Sequence, residues 1–409
     1  MGNFSIALSG LQADTTSLNV IGNNLANLNT SGYKDQGTTF EDLFYQQIGS
    51  SGSNNPLQVG SGTRVSGTTT DFTQGSILPT GQSTDMALSG DGFFVVNQNG
   101  TQELTRSGDF QLSQDGTLTT KDGALVMGYP AKNGVPDVNG GIGSINLPVG
   151  VTQAAQATRS ISVTANLDAS AAVGTQFTTP VKIYDSLGNS HQVSVTYTKT
   201  AQGSWDYAVS LPAGEAGAPT NNTGTLTFDS NGVLTSPTGP ITGITFPGLT
   251  DGASDLNFSL DLTGGASGSP TITQTTAASS NGDVLQDGYA SGTYTGFTVD
   301  GNGVVTAKFN NDHTEVVGQV AVATVTNTQG LVMMGHNNYA TTAASGDAVI
   351  GVAGTGGRAT IEDSSLEQSN VDISTEFANL IVAQRAFEAN SKTITTFDSL
   401  TQTTLGMIR

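Results

Sequence analysis

Large apolar residues recur every seven positions at both ends of this chain. Near the start, Phe4, Leu11, Leu18 and Leu25 form one column, with Ala7, Ile21 and Leu28 in a companion column three positions on. Near the finish, Ile373, Leu380, Phe387 and Ile394 repeat the pattern, and Ile408 returns to it after a polar Thr401. Phe377 and Leu405 extend the apolar set of that segment. A seven-residue spacing is a helical seam, and a seam of this kind cannot bury itself alone. The ends of the chain are therefore expected to meet partner helices, which points to assembly before it points to chemistry.

The first seam predicts a helix over residues 3–28, about 39 Å long at helical rise. Its sole charge, Asp14, falls in the companion column, and Asn23, Asn24 and Asn27 crowd its last turns. These asparagines terminate the helix through side-chain hydrogen bonds or face other helices in an assembly. Gly32 is placed to adopt the left-handed conformation beyond the cap. The second seam predicts a helix from Asp372 to Met407. Ser369-Asn370-Val371-Asp372 has the spacing of a capping box, and Asp372 with Glu376 suits the positive end of the helix dipole.

Between the seams the periodicity changes to the alternation of strands. Residues 49–62 are rich in Gly, Ser and Asn and read as a flexible loop. One turn recipe then recurs, in Ser113-Gln114-Asp115-Gly116, Asp229-Ser230-Asn231-Gly232 and Asp300-Gly301-Asn302-Gly303, each between apolar pairs. Such turns predict antiparallel hairpins in sandwiches or barrels. Residues 149–284 read as a unit of their own. Within it Val181-Lys182-Ile183-Tyr184 and Val193-Ser194-Val195-Thr196-Tyr197 flank the turn Asp185-Ser186-Leu187-Gly188-Asn189, and Trp205, the single tryptophan, is expected as a core anchor.

The fold class expected is α+β, mainly β. Discontinuous, coiled-coil-like terminal helices (1–33 with 369–409) accompany an inner β domain (34–148 with 285–368) and an outer one (149–284). At 409 residues the chain is long for one core, which agrees with several domains.

Charged residues make up only 11%, against roughly 25% in typical domains. The net charge of −20 leaves no basic footprint, which argues against nucleic acid and anionic lipid as partners. No apolar run reaches the ~20 residues that span a bilayer. The start, Met1-Gly2-Asn3-Phe4-Ser5-Ile6, lacks the basic and apolar regions of a cleavable signal peptide. There is no cysteine, so disulfides and thiolate metal sites are excluded.

Catalytic signatures are missing as well. No Gly-x-Ser-x-Gly elbow occurs, and Gly90-Asp91-Gly92 precedes a strand where a dinucleotide loop must follow one. His191, His313 and His336 are isolated from one another in sequence and read as solvated residues. The Asp-rich turns lack the ligand ladder of a calcium loop. No catalytic residue, cofactor or metal is expected.

Asn23-Asn24-Leu25-Ala26-Asn27-Leu28-Asn29-Thr30-Ser31-Gly32-Tyr33-Lys34 resembles the N-terminal signature of the bacterial flagellar rod and hook proteins. Ser9-Gly10-Leu11 fits the same pattern. The C-terminal counterpart is Ser369-Asn370-Val371-Asp372 followed by Ala383-Gln384-Arg385-Ala386-Phe387-Glu388-Ala389-Asn390-Ser391-Lys392. Leu88-Ser89-Gly90-Asp91-Gly92-Phe93-Phe94-Val95-Val96 and Thr105-Arg106-Ser107-Gly108-Asp109-Phe110 resemble the shared β domain of that family. The module around Trp205 resembles one that only the longer, hook-type members carry.

The resemblance implies a structural subunit that polymerises with itself into a curved tube joining rod to filament, a universal joint for motor torque. It further implies family-motif roles for Asn23, Asn24, Asn27, Gly32, Gln384, Arg385 and Asn390. The implied partners are the rod, the hook cap, the hook–filament junction proteins and the flagellar export apparatus. The implied location is extracellular, reached without a cleavable signal. A distal rod subunit of the same family is the nearest alternative, and an extracellular β-rich adhesin is a more distant one.

Overall fold

The computed structural model describes residues 2–50, 56–264 and 271–407, so Ile408 lies outside the described residues. Helix α1 spans Gly2–Ala26 and helix α2 spans Ile373–Met407. The first ends two residues before Leu28. There the Asn27 N–H reaches the carbonyls of Asn23 and Asn24, and the Asn27 side chain bonds back to the Asn23 carbonyl at 2.9 Å. Asparagine side chains compete with the backbone ladder in this way and favour ends over interiors.

The capping expectation at α2 needs correction. Asp372 is the cap, its Oδ1 accepting the Thr375 N–H at 2.7 Å, which holds the carboxyl below its ordinary pKa. Asn370 is engaged elsewhere, accepting from the Asp35 N–H and donating to the carbonyls of Asp71 and Thr73. Asp372→Ala is expected to destabilise the first turn of α2 by about 0.5–2 kcal/mol. Faster amide exchange at residues 373–376, with exchange at 390–400 unchanged, is the readout.

The chain divides into two compact units. One comprises the chain up to Val149, Gly296–Ala307 and the chain from Glu315; the other comprises Gly150–Thr295 and Lys308–Thr314. In the first, strand Phe93–Gln98 pairs antiparallel with Thr101–Thr105, Leu125–Lys132 and Thr314–Thr324. Ser365–Glu367, just ahead of α2, pairs with Ile77–Pro79, and Thr360–Asp363 pairs with Met86–Ser89. Phe93, Val95, Leu104, Tyr129, Ala321, Ala323 and Tyr339 form a core, with Phe72 and Tyr339 rings 5.4 Å apart.

The stretch at 49–62 departs from the expected flexible loop. Gln46–Ser50 and Pro56–Val59 form an antiparallel ladder in which Gln46 faces Val59 and Gln47 faces Gln58. Its residues 51–55 lie outside the described residues. Leu57 and Val59 supply strand character that the Gly/Ser/Asn average of the segment hides.

The second unit is a sandwich of two five-stranded sheets. Strands Gln176–Tyr184, Ser190–Ala201 and Ser204–Ser210 alternate buried and exposed residues with period two, as a half-buried sheet requires. Trp205 and Tyr197 lie fully buried in its core, as expected of the single tryptophan. The other sheet is mixed: Ser160–Asp168 runs parallel to Leu256–Asp261 and Ile272–Thr275 but antiparallel to Ser280–Gln286. The recurrent aspartate turns are hairpin turns. Asp229 Oδ1 accepts the N–H groups of Asn231 and Val233, and Asp300 Oδ1 those of Asn302 and Val304.

Candidate assembly interface

The terminal helices pack against each other along one seam. Ala7, Ala13, Ile21 and Asn24 of α1 and Glu376 and Ala383 of α2 are the buried residues of the two helices among the described residues. The helices come close at Gly10, where an added Cβ would stand 2.8 Å from Asn390 Nδ2. Asn390 Nδ2 in turn donates to Asp14 Oδ2 at 2.8 Å. The one charge of α1 thus sits in the seam because the opposite helix brings an amide to it. Small and polar residues (Gly10 and Asp14 against Asn390) let the backbones come close there.

The large apolar residues flank this seam instead of filling it. Leu11, Leu18, Leu25, Leu28, Leu380, Phe387 and Ile394 are half-buried. Phe4, Ile373, Phe377 and Leu405 are exposed, together with Leu8, Ile381, Val382, Leu400 and Met407. Of the large apolar residues expected in the stripe, only Ile21 is buried among the described residues. Gln384 and Arg385 are exposed too, and Arg385 has no ion-pair partner among the described residues. Neither helix is long and apolar enough to cross a membrane.

At one end of the seam, a polar knot fastens the helices to the start of strand Gln36–Asp42. Asn24 is fully buried and makes four hydrogen bonds: its Nδ2 donates to the Gln36 carbonyl (2.8 Å) and Glu376 Oε2 (3.3 Å), and its Oδ1 accepts from Tyr33 Oη (3.0 Å) and the Gln36 N–H (3.2 Å). That exhausts the capacity of a carboxamide. Asn23 Nδ2 donates to Tyr33 Oη at 3.0 Å, and Asn27 Oδ1 accepts from the Thr30 hydroxyl. Burial, then the neighbouring charges of Asp35 and Glu376, push the Tyr33 phenol up to about 12. Burial and Glu376 also raise the Asp35 carboxyl.

Glu367 stands at the centre of the charges. Its Oε1 accepts from Lys34 Nζ at 2.6 Å and from the Gly75 N–H at 2.9 Å, and its Oε2 from Arg106 Nη1 at 3.3 Å. All three side chains are almost wholly withdrawn from solvent. Burial lowers the pKa of the Lys34 ammonium, and the Glu367 charge opposes that fall without cancelling it. Gly32 enables the arrangement: it adopts φ +69°, its N–H donates to the Glu367 carbonyl, and a Cβ there would sit 2.6 Å from the Arg106 carbonyl carbon. Only glycine tolerates both demands.

Four family descriptions match the chain in order. They are flagella basal body rod protein over residues 4–34, flagellar hook protein FlgE/F/G D1 domain over 87–166, flagellar basal body protein FlaE D2 domain over 154–289, and flagellar basal body rod FlgEFG protein C-terminal over 362–407. Across 424 aligned residues the chain is 35% identical to the flagellar hook protein FlgE of Salmonella typhimurium, covering 99% of this chain and 100% of that one. The chain belongs to the flagellar hook protein FlgE family. The hook protein FlgE of Borreliella burgdorferi is 33% identical over 97% of both chains. A crystal structure of Helicobacter pylori flagellar hook protein FlgE2 shares the fold, with TM-score 0.56 and 16% identity over 71% of this chain and all of that one. Membership of the FlgE family makes this chain a structural hook subunit.

Several residues of the interface escape a reading of the sequence by pattern. Glu367 carries no periodic signal, Glu376 enters only as a favourable charge at the start of α2, and Lys34 and Arg106 enter only as members of longer motifs. The available signal is scarcity: with 13 Lys and Arg in 409 residues, two cations inside motif segments that are otherwise neutral or acidic are candidates for burial.

Proposed function

We propose that this subunit polymerises with itself through its terminal helices into a curved tube that transmits torque as a universal joint. Residues 1–33 with 369–409 would form the inner tube, 34–148 with 285–368 the β domain beside it, and 149–284 an outer domain. The observation that carries this reading is the set of large apolar side chains left exposed on the two terminal helices, Phe4, Leu8, Ile373, Phe377, Ile381, Val382, Leu400 and Leu405. So many large apolar side chains exposed on two packed helices point to partners that cover them. The separate core of the second unit supports a hook subunit over a distal rod subunit. Rod, hook cap, junction proteins and export apparatus are the partners proposed, and the cell exterior the location.

The test uses Phe377→Asp with Ile381→Asp, two exposed positions one turn apart on α2. Electron microscopy of the concentrated wild-type chain is expected to show curved tubes. Losing two apolar anchors of roughly 1.5–3 kcal/mol each should raise the critical concentration at least about 100-fold. The melting curve of the dilute variant should match wild type. Tubes forming from the variant at wild-type concentrations would sink the proposal.

A further inference from the structure

His191 is not the solvated residue that its isolation in sequence suggests. Its side chain is 9% exposed, and three carboxylates from three separate loops close around the ring. Asp185 comes from the turn between strands Gln176–Tyr184 and Ser190–Ala201, Glu215 from the loop after Ser204–Ser210, and Asp251 from the loop between Ile241–Phe246 and Leu256–Asp261. The last loop belongs to the opposite sheet of the same sandwich. The other two histidines differ: His313 stacks on Tyr289 with centroids 3.9 Å apart, and His336 is exposed.

The two ring nitrogens have different neighbours. Nδ1 faces Glu215 Oε2 at 3.2 Å, so an Nδ1–H donating to that carboxylate fixes the tautomer. Nε2 then presents its lone pair to Asp185 Oδ2 at 3.2 Å and Asp251 Oδ2 at 3.3 Å. A lone pair facing two anionic oxygens is repulsive unless a positive centre lies between them. A proton on Nε2 can serve only one of the two oxygens well. An ion of four-fold coordination, with bonds of about 2.0–2.1 Å, sets its ligand atoms roughly 3.3–3.4 Å apart. The Nε2 distances to both oxygens have that size, and the three atoms all lie within 4.8 Å of one another.

Each of these three groups is also held from behind, as metal ligands are. Asp185 Oδ1 accepts the N–H groups of Leu187 and Asn189 at 2.8 and 2.9 Å, and Asp251 Oδ1 accepts that of Ala253 at 3.0 Å. Asn189 Nδ2 donates to both Oδ2 atoms at 3.2 Å.

We propose that Asp185 Oδ2, His191 Nε2 and Asp251 Oδ2 bind one divalent first-row transition cation, of which Zn2+ is the best match to a mixed imidazole and carboxylate set. Water completes the shell on the side where Asp251 is partly exposed. Glu215 is the positioning residue for the ring. Because the ligands come from both sheets, the ion ties the ends of the sandwich together and stabilises the outer unit by mass action.

Calorimetric titration of the chelator-treated full chain with Zn2+ at pH 7.5 is expected to give one saturable site per chain, and Mg2+ is expected to give none. Co2+ in the same site should show a visible absorption band. Asp251→Asn and His191→Gln should abolish the site, Glu215→Gln should weaken it about 10–100-fold, and His336→Gln should leave it intact. Near-UV circular dichroism of each variant in chelator confirms folding. No saturable binding, or binding that survives Asp251→Asn in the folded variant, overturns the proposal. So does a melting temperature that falls as pH rises from 6 to 8 and that Zn2+ does not restore, because a proton then fills the place of the ion.

Discussion

Glu367→Ala is expected to destabilise the unit that carries the terminal helices by roughly 3–5 kcal/mol, the penalty for stripping a buried charge of its partner. Here one carboxylate serves two cations, Lys34 at 2.6 Å and Arg106 at 3.3 Å, and both lie away from solvent. Its removal also leaves the Gly75 N–H without its acceptor. Against a typical stability of about 5–15 kcal/mol, this loss is a large fraction of the whole. Glu367→Gln, which keeps the shape and drops the charge, should come close to the alanine variant. Adding Lys34→Met to Glu367→Gln should recover part of the loss, because one stranded cation is then gone. Calorimetry reads the destabilised transition. Trp205 fluorescence reports independently on the other unit, and its midpoint should not move. A wild-type calorimetric profile for Glu367→Ala would show that the charge cluster contributes nothing to stability.

Trp205→Ala should produce the complementary result, a loss of about 3–5 kcal/mol confined to the unit built on Gly150–Thr295. The indole is fully buried among Val163, Leu226, Phe246 and Phe258 in a core to which only residues of that unit contribute. Its Nε1 finds no hydrogen-bond acceptor among the described residues, so the side chain contributes through packing and through the Lys199 ammonium 5.6 Å over the ring. Trp205→Phe should therefore lose much less, since it keeps an aromatic body and removes an orphaned donor. Near-UV circular dichroism and calorimetry follow the unfolding, with the helix-bearing unit melting at its wild-type temperature. Movement of both transitions together would mean that the two units unfold as one.

The features legible in the sequence were those set by local repetition. The seven-residue columns marked both helices to within a few residues, because a helix repeats its face at that interval. Turn recipes at Asp229 and Asp300 marked their hairpins, because an aspartate that accepts two backbone N–H groups needs no help from distant residues. The interface itself was harder to read. Reading by size put the large residues of the stripe at the seam, whereas the contact is made by the small and polar column between them. Lys34 and Glu367, 333 positions apart, meet only because strands on either side bring them together. The same holds for His191, whose neighbours Glu215 and Asp251 arrive from loops far along the chain.

The saturation of Asn24 has a mechanical consequence. A helix pair held by apolar contact alone can rotate about its own axis or slip by a turn at little expense, because one greasy notch resembles the next. An amide with all four hydrogen-bond positions committed to Gln36, Tyr33 and Glu376 has no equivalent setting a notch away. It acts as a key in a slot, fixing the azimuth of α1 and α2 on the strand that begins at Gln36. In the proposed tube, a twisting moment that reaches the helices would thereby pass to the strand bonded to Asn24 and not be lost as slippage at the root.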